Sequence, residues 1–279
     1  TQDEGAVFIT ANVLSLQGGS QIQTLVRGRD PRGSEEPRRG AGRGSAGNIV
    51  VVASDIRVNG TSPLTGRPSS IFSSVGTGAP GDGGFVFIIA NNLLLSNSAQ
   101  LNADTFGRGE SSGGNIALFI NESLWILNEA EVSVSASGNT TEAGNILVFA
   151  ESGSFFILDQ NSRLAAETTS GNGGDIVLGG NEVLLLLGNS NISTTAGTDR
   201  RGGGGNGGNI VLNFSAGILS QPVRDSNITA QAFDGDGGSI SVPGAFVNLF
   251  QIEENLDDFL TSNDITASSE FGASGIVTI

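Results

Sequence analysis

The sequence predicts an all-β protein built as a β-solenoid of about nine coils, each of roughly 30 residues. The first observation is a repeated motif, in which a glycine precedes two apolar residues at alternate positions, as in a strand that opens from a turn. The second is the period, since the motif recurs every 30 residues at Gly114, Gly144 and Gly174. The third is that two further short apolar runs follow each of these motifs. Three short strands per 30 residues, separated by Gly, Asn and Ser, are typical of one solenoid coil.

The motif continues along the whole chain with an irregular spacing. Steps of 30 to 42 residues separate its successive copies, so the extra length is expected to form loops added to a constant coil. We expect residues 1–279 to form a single domain, because each coil of a solenoid contacts only its neighbours. The first inward-facing residues of the nine coils are predicted to be Val7, Ile49, Phe85, Ile116, Ile146, Ile176, Ile210, Ile240 and Val277.

Four insertions interrupt the regular coils, at residues 24–46, 60–82, 197–207 and 251–263. The first three are predicted to lead from a third strand to the next first strand, and therefore to project from one edge of the molecule. Within the second insertion, the run Ser70–Val75 is predicted to supply a third strand. In the fourth, apolar residues spaced three and four apart predict a short amphipathic helix.

Arginine is concentrated in the first insertion, and every basic residue of the chain is an arginine. Such a cluster suggests a site for an acidic polysaccharide or another anionic surface. The alternative is a solvated, mobile insertion whose charges partly pair with each other. The first insertion contains no aromatic residue, which weakens recognition by stacking. The candidate interaction residues, including two from the third insertion, are Arg27, Arg29, Arg32, Arg38, Arg39, Arg43, Arg200 and Arg201.

The interior is predicted to consist of aliphatic and Phe ladders, because parallel coils place like residues above like. Leu93, Leu124, Ile157 and Leu184 are expected among the inward residues. A polar ladder is expected at the turn before each first strand, where stacked amides can hydrogen-bond along the axis. We interpret the residues of this ladder as structural: Asn48, Asn115, Asn145, Asp175, Asn209 and Ser239.

The composition excludes several kinds of site. The chain has no His and no Cys, which rules out transition-metal sites and Ser-His or Cys-His nucleophile systems. The net charge of −15 argues against nucleic-acid binding, since phosphate contacts need a basic face. The sequence does not exclude a pair of carboxylates that cleaves glycosides. Acids such as Glu129 and Glu151 occur singly, however, as solvent-facing residues do. Asp234 and Asp236 resemble a calcium repeat only loosely, and no cofactor is expected.

No apolar run approaches the ~20 residues that a membrane-spanning helix needs, so no membrane span is expected. The first residues lack the basic and apolar regions of a signal peptide. The repeat pattern also continues to Ile279, in the middle of a coil. Both termini are therefore expected to be cuts through a longer repeat array or the ends of a processed chain.

The repeat unit resembles that of filamentous-haemagglutinin-like exoproteins of two-partner secretion systems, particularly the long cyanobacterial ones. The matching segments include Gly113-Gly114-Asn115-Ile116, Gly207-Gly208-Asn209-Ile210 and Asn227-Ile228-Thr229-Ala230. The resemblance covers essentially the whole chain, which lacks the amino-terminal secretion module with its Asn-Pro-Asn-Gly signature. It implies a right-handed single-stranded parallel β-helix, secretion to the cell exterior or outer surface, and an outer-membrane β-barrel as secretion partner.

Three classes of function compete. A structural exoprotein, either a filament or an adhesin shaft without catalytic activity, is favoured. The first alternative is a polysaccharide-binding module that uses the arginine-rich and glycine-rich loops. The second is a pectate-lyase-like enzyme. Such lyases need acids for calcium and a Lys or Arg base in one groove, whereas this chain has no Lys and concentrates its Arg in loops.

End-to-end self-association into a head-to-tail filament is also expected. An open coil at either end would present unpaired backbone groups above an apolar core. We expect strand pairing between copies at Val7, Ile9, Val277 and Ile279. We expect the arginines of the first coils to attract an acidic cluster near the other end, Glu253, Glu254, Asp257 and Asp258.

Overall fold

The computed structural model describes residues 5–28, 42, 44–106, 111–137, 142–151, 154–180, 183–197, 204–221, 224–243, 246–248, 250–252 and 262–279. These residues form strands, turns and bends, and no helix occurs among them. The predicted all-β class is therefore confirmed for this part of the chain.

The strands form two sheets, of 13 and 9 strands, which we call the large sheet and the small sheet. The large sheet contains β1 (Ala6–Gln17), β3 (Asn48–Asn59), β5 (Phe85–Ser96), β7 (Asn115–Leu127), β9 (Ile146–Ala150), β10 (Phe155–Asp159), β12 (Ile176–Gly180), β13 (Val183–Leu186), β15 (Asn209–Phe214), β16 (Gly217–Ser220), β18 (Ser239–Ser241), β19 (Val247–Asn248) and β22 (Ile276–Thr278). The small sheet contains β2 (Gln21–Val26), β4 (Ser70–Val75), β6 (Gln100–Asn102), β8 (Glu131–Ser133), β11 (Arg163–Ala165), β14 (Asn191–Ser193), β17 (Asn227–Thr229), β20 (Gln251–Ile252) and β21 (Asp264–Thr266).

The chain passes from the large sheet to the small sheet and back, and each return places a new strand parallel beside an earlier one. Equivalent residues of successive coils pair directly, as Ile146 does with Ile116 and Ile176. Each pass thus contacts the passes before and after it. This arrangement of parallel strands is compatible with a β-helix.

The core lies between the two sheets and is formed by apolar side chains at alternate strand positions. Leu93, Leu124 and Leu184 are buried there as predicted. The inward assignment of Ile157 is wrong. Its neighbours Phe156 and Leu158 are the buried residues of β10, because the strand is apolar over four consecutive positions and alternation does not mark one face.

The first and second strands predicted for each coil are fused in the first four coils. β1, β3, β5 and β7 run for 12 or 13 residues, and 11 residue pairs join β1 to β3. The large sheet then branches at β7 into one ladder through β9, β12, β15, β18 and β22 and another through β10, β13, β16 and β19. Three separate strands per coil, as the sequence predicts, are therefore present only from β9 onward.

One inward residue of the repeat is assigned wrongly by the sequence. Phe85 is 37% exposed, whereas Val86 is fully buried and pairs with Ile116. Residues 85–90 are all apolar, so alternation does not distinguish the two faces of this segment. The glycine of the motif in this coil is accordingly Gly84.

A close stack of glycines explains why the motif begins with this residue. A Cβ atom added to Gly144 would overlap the carbonyl oxygen of Gly114, and one added to Gly174 would overlap that of Gly144. Coils approach this closely only where no side chain stands between them. The column consists of Gly5, Gly47, Gly84, Gly114, Gly144, Gly174, Gly208, Gly238 and Gly275.

The predicted polar ladder lies beside these glycines and is confirmed. The Oδ1 atom of Asn115 accepts the backbone N–H of Asn145 at 2.9 Å, and Oδ1 of Asn145 accepts that of Asp175 at 2.8 Å. Oδ1 of Asp175 in turn accepts the backbone N–H of Asn209 at 3.0 Å. Each side chain thus satisfies a donor of the following coil.

A second amide ladder, which the sequence analysis missed, lies at the corner between the second and third strands. Pairs of residues there adopt the left-handed conformation, beginning with Asn97 (φ 56°), Asn128 (φ 54°) and Gln160 (φ 57°). Asn tolerates this conformation better than most residues. The side-chain amide of Asn128 donates to Oδ1 of Asn97 at 3.1 Å, and that of Asn97 donates to Oδ1 of Asn59 at 2.7 Å.

The insertions do not all leave from one edge. The strand predicted at Ser70–Val75 is confirmed as β4, but residues 60–69 precede it and therefore follow a second strand. Thr61 and Pro68 pair there in an antiparallel bridge. The first insertion also starts later than residue 24, since β2 continues to Val26.

The helix predicted for 251–263 is wrong at its start. Gln251–Ile252 form β20, which pairs with β21 in the small sheet. A two-residue strand satisfies backbone groups along the edge of β21, which a helix would leave unpaired. Residues 253–261 lie outside the described part of the chain.

Candidate functional site

Most of the predicted interaction residues lie outside the described residues. Arg27 is described and exposed, and its carbonyl oxygen accepts the backbone N–H of Gly42 at 2.9 Å. The others that fall outside are Arg29, Arg32, Arg38, Arg39, Arg43, Arg200 and Arg201, together with Glu253, Glu254, Asp257 and Asp258.

The residues predicted for strand pairing between copies lie in the outermost strands of the large sheet. Val7 and Ile9 belong to β1, which pairs with β3 alone among the described strands. Val277 belongs to β22, which within the same part of the chain pairs with β18 alone. Ile279 follows β22 and is half exposed.

A groove of about 780 Å³, lined by both polar and apolar side chains, runs across the outer face of the small sheet. Outward side chains of successive strands form three columns along the axis of the stack. The first column contains Gln21, Ser70, Gln100, Glu131 and Arg163. The second contains Gln23, Phe72, Asn102 and Ser133. The third contains Leu25, Ser74, Asp104, Ser135, Glu167 and Thr195.

Asp104 is the most buried charged residue of the groove, with 7% of its surface exposed. Its Oδ1 atom accepts hydrogen bonds from the hydroxyl of Ser133 at 2.6 Å and from the backbone N–H of Ser135 at 2.8 Å. Burial raises the pKa of Asp104 to about 6, and the nearby Glu131 acts in the same direction. The two hydrogen bonds and Arg163 oppose this rise without cancelling it.

Three charged side chains from neighbouring coils form an ionic network in the groove. Arg163 donates a hydrogen bond to Glu167, and its Nη1 atom lies 3.7 Å from Oε1 of Glu131. Burial raises the pKa of Glu131, and the positive charge of Arg163 partly offsets this rise. Burial opposes the charge of Arg163, but Glu167, Glu131 and Asp104 together raise its pKa. The arginine is therefore held charged between two acids.

Two buried polar atoms of the groove have no hydrogen-bond partner among the described residues. They are Oγ of Ser70 and Oδ1 of Asn102, and both residues line the groove. Native proteins satisfy the great majority of such atoms. The groove floor thus retains unused hydrogen-bonding capacity next to its ionic network.

The lining of the groove also has apolar parts. Arg67 and Pro68, from the bridge region of residues 60–69, line it together with Phe72. Phe106, which is 46% exposed, also lines the groove. An apolar surface is therefore available beside the polar floor.

Sequence reasoning missed this groove. Within one coil the acids stand apart in the sequence, whereas the groove brings Asp104, Glu131 and Glu167 together from three coils. The signal that could have found them is the alignment of third strands, which places Gln100, Glu131 and Arg163 at one position.

The outer face of the large sheet carries an aromatic strip. The ring centroids of Phe87 and Phe119 lie 5.5 Å apart, and those of Phe119 and Phe149 lie 5.7 Å apart. Phe119 and Phe149 remain 38% and 42% exposed. Stacking along the axis gives these rings mutual contacts in place of a covering layer.

No protein-family model, curated protein or solved structure matches this chain. Within the described ranges, no group of three or more acidic side chains is placed to hold a metal ion. The same ranges contain no helix long and apolar enough to cross a membrane.

Proposed function

We propose that this chain is a structural scaffold, a filament or adhesin shaft of a secreted or cell-surface protein that acts without catalysis. The observation that carries the proposal is the continuous parallel ladder from β1 through β3, β5, β7, β9, β12, β15 and β18 to β22. The glycine column, the amide ladders and the core all serve this stacking. Repetition of this kind extends a molecule in one direction.

The finer architecture is part of the proposal. We assign a right-handed single-stranded parallel β-helix, because crossovers between parallel strands are right-handed in about 98% of cases. Nine coils at a spacing of ~4.8 Å give a rod roughly 40 Å long. The sequence resemblance supports the same fold, and it alone supports the secreted location and the outer-membrane secretion partner.

Head-to-tail self-association is the second part of the proposal. Ile116 and Ile146 donate their backbone N–H groups to carbonyl oxygens of the following coil, those of Asn145 and Asp175. Val277 holds the equivalent position in β22, so its N–H points away from β18. A backbone carbonyl oxygen of β1 in another copy can accept this hydrogen bond and continue the ladder. Such a contact repeats without closing and produces a filament.

Substitution of Val277 by proline tests the association. It removes the outward donor but keeps the bonds to the preceding coil, from Ile276 to Gly238 at 3.1 Å and from Val242 to Thr278 at 2.8 Å. Sedimentation velocity and electron microscopy at rising concentration are expected to show rods that lengthen for the wild-type chain and for the control Val277→Ala. The proline variant is expected to stay monomeric with an unchanged circular dichroism spectrum.

Two outcomes would count against the proposal in different ways. A wild-type chain that stays strictly monomeric at high concentration would refute self-association. A compact particle in place of a rod, or a helical content above about a fifth, would refute the scaffold itself, because the strand content of the coils leaves no room for it.

A further inference from the structure

We propose that the groove on the small sheet binds a linear, uncharged oligosaccharide that lies along the axis of the stacked strands. The groove spans six successive levels of the small sheet, from Gln21 to Thr195, which corresponds to roughly 24 Å. Its volume of about 780 Å³ falls within the range of roughly 300–1,000 Å³ typical of small-molecule sites. This site does not depend on whether the chain assembles into filaments.

The unpartnered atoms of the groove floor point to a ligand with hydroxyl groups. Ser70 is 1% exposed, and it lies in the outward column between Gln21 and Gln100, on the groove side of the sheet. Asn102 lies one strand further along and two residues away from that column. Both atoms are buried just beneath the groove surface, so a small shift of the covering side chains lets a hydroxyl donate to Oδ1 of Asn102 or exchange a hydrogen bond with Oγ of Ser70. Two hydroxyl groups on different parts of one linear ligand can satisfy both atoms.

Asp104 offers a third acceptor. Both of its hydrogen bonds end on Oδ1, so Oδ2 accepts none from the described residues. A hydroxyl of the ligand can donate to Oδ2, and hydrogen bonds to a charged acceptor are stronger than neutral ones. The neighbouring Ser133 and Ser135 hold the carboxylate in place before any ligand arrives.

The charges of the groove favour an uncharged ligand over an acidic one. Its lining contains Asp104, Glu131 and Glu167 against Arg67 and Arg163, which leaves an excess of one negative charge. Arg163 is already engaged by Glu131 and Glu167 and is not available to pair with a uronate or a sulfate. The same engagement occupies the two glutamates, so Asp104 alone is left to attract an amino sugar. The exposed ring of Phe106 adds an apolar surface for the carbon face of a sugar ring.

The test is calorimetric titration of the chain with a panel of linear hexasaccharides. The uncharged members are cellohexaose, mannohexaose, xylohexaose and chitohexaose, and the charged members are hexagalacturonate and the glucosamine hexamer. We expect one or more uncharged members to bind and both charged members to bind more weakly. Absence of binding by every uncharged member at millimolar concentration would overturn the proposal. Tighter binding of either charged member would overturn it as well.

Ser70→Ala separates binding from stability, since it removes an atom that has no partner in the described structure. We expect it to weaken the binding of the uncharged hexasaccharide roughly three- to tenfold while the melting temperature stays the same or rises. Ser111→Ala is the matched control, because Ser111 also has a buried, unpartnered hydroxyl but does not line the groove. Equal effects of the two substitutions on binding would overturn the proposal.

Discussion

The carboxylate of Asp104 lies 2.6 Å from the hydroxyl of Ser133, which reaches it from the next level of the small sheet. This contact crosses between coils and fixes the orientation of a charged group that is almost fully buried. The burial of this carboxylate makes the stability of the stack depend on pH.

The pH dependence follows from the raised pKa of Asp104, about 6 in the folded chain against 3.8 for the free side chain. A raised pKa means that the stabilising contribution is complete below pH 3.8 and is lost as the pH rises to about 6 and beyond. The loss amounts to about 3 kcal/mol of unfolding free energy. Urea unfolding between pH 4 and pH 7 should show this decrease. Glu131, whose pKa is also raised by burial, adds to it in the same direction.

Asp104→Asn is the matched variant for this measurement. Its amide oxygen can still accept from Ser133 and Ser135, but the residue no longer ionises. The unfolding free energy of the variant should therefore change much less with pH than that of the wild-type chain. Parallel pH profiles for the two proteins would contradict the assignment.

Gly144→Ala is expected to destabilise the chain by about 3 kcal/mol, because the new methyl group overlaps the carbonyl oxygen of Gly114 and forces two coils apart. Gly179→Ala is the control. The nearest atom to its new methyl group is a ring carbon of Phe149 at 3.7 Å, which is ordinary contact. Chemical denaturation should show a small or slightly stabilising change for the control. Equal losses for both variants would show that the close approach at Gly144 has no special role.

Ile146→Asp is expected to cost about 4 kcal/mol or more, since it places an unpaired charge between Ile116 and Ile176 in a fully buried ladder. Phe149→Asp, on the same strand but 42% exposed, should cost about 1 kcal/mol through the lost ring contact with Phe119. Thermal unfolding monitored by circular dichroism compares the two. An unchanged melting temperature for Ile146→Asp would mean that this residue does not face the core in solution.

Replacement of residues 29–41 by a short Gly-Ser link should change the unfolding free energy by less than about 1 kcal/mol. The backbone N–H of Gly42 already donates to the carbonyl oxygen of Arg27, so a short link suffices to join the ends. Closure entropy depends only logarithmically on loop length. A large loss of stability in differential scanning calorimetry would show that the replaced segment braces the stack.

The repeat itself could be predicted from the sequence because stacking imposes the same local demands on every coil. The glycine column and the Asn115–Asn145 ladder both arise where backbones of successive coils meet, so their residues recur at a fixed place in the motif. Where those demands are absent, the prediction fails. The sequence predicts that Phe85 faces inward, but the segment around it is apolar on both faces and the side chain is exposed.

The fused strands and the groove were harder to predict for physical reasons. Asn12 falls between two apolar runs and suggests a break, yet the backbone of β1 remains extended through it. The groove depends on side chains that meet across coils, such as Arg163 with Glu131, on strands of only three residues. So short a strand shows too little alternation for its outward column to be recognised.

The branching of the large sheet at β7 has a mechanical consequence. On one side of the branch, 10 or 11 residue pairs join each long strand to the next, whereas β18 and β22 on the other side share only three. Force applied along the axis is therefore resisted unequally, and the levels beyond β7 should unzip at lower load than those before it. A single molecule pulled from its two ends would unfold first in its carboxyl-terminal half, while the stiffer amino-terminal half stays folded.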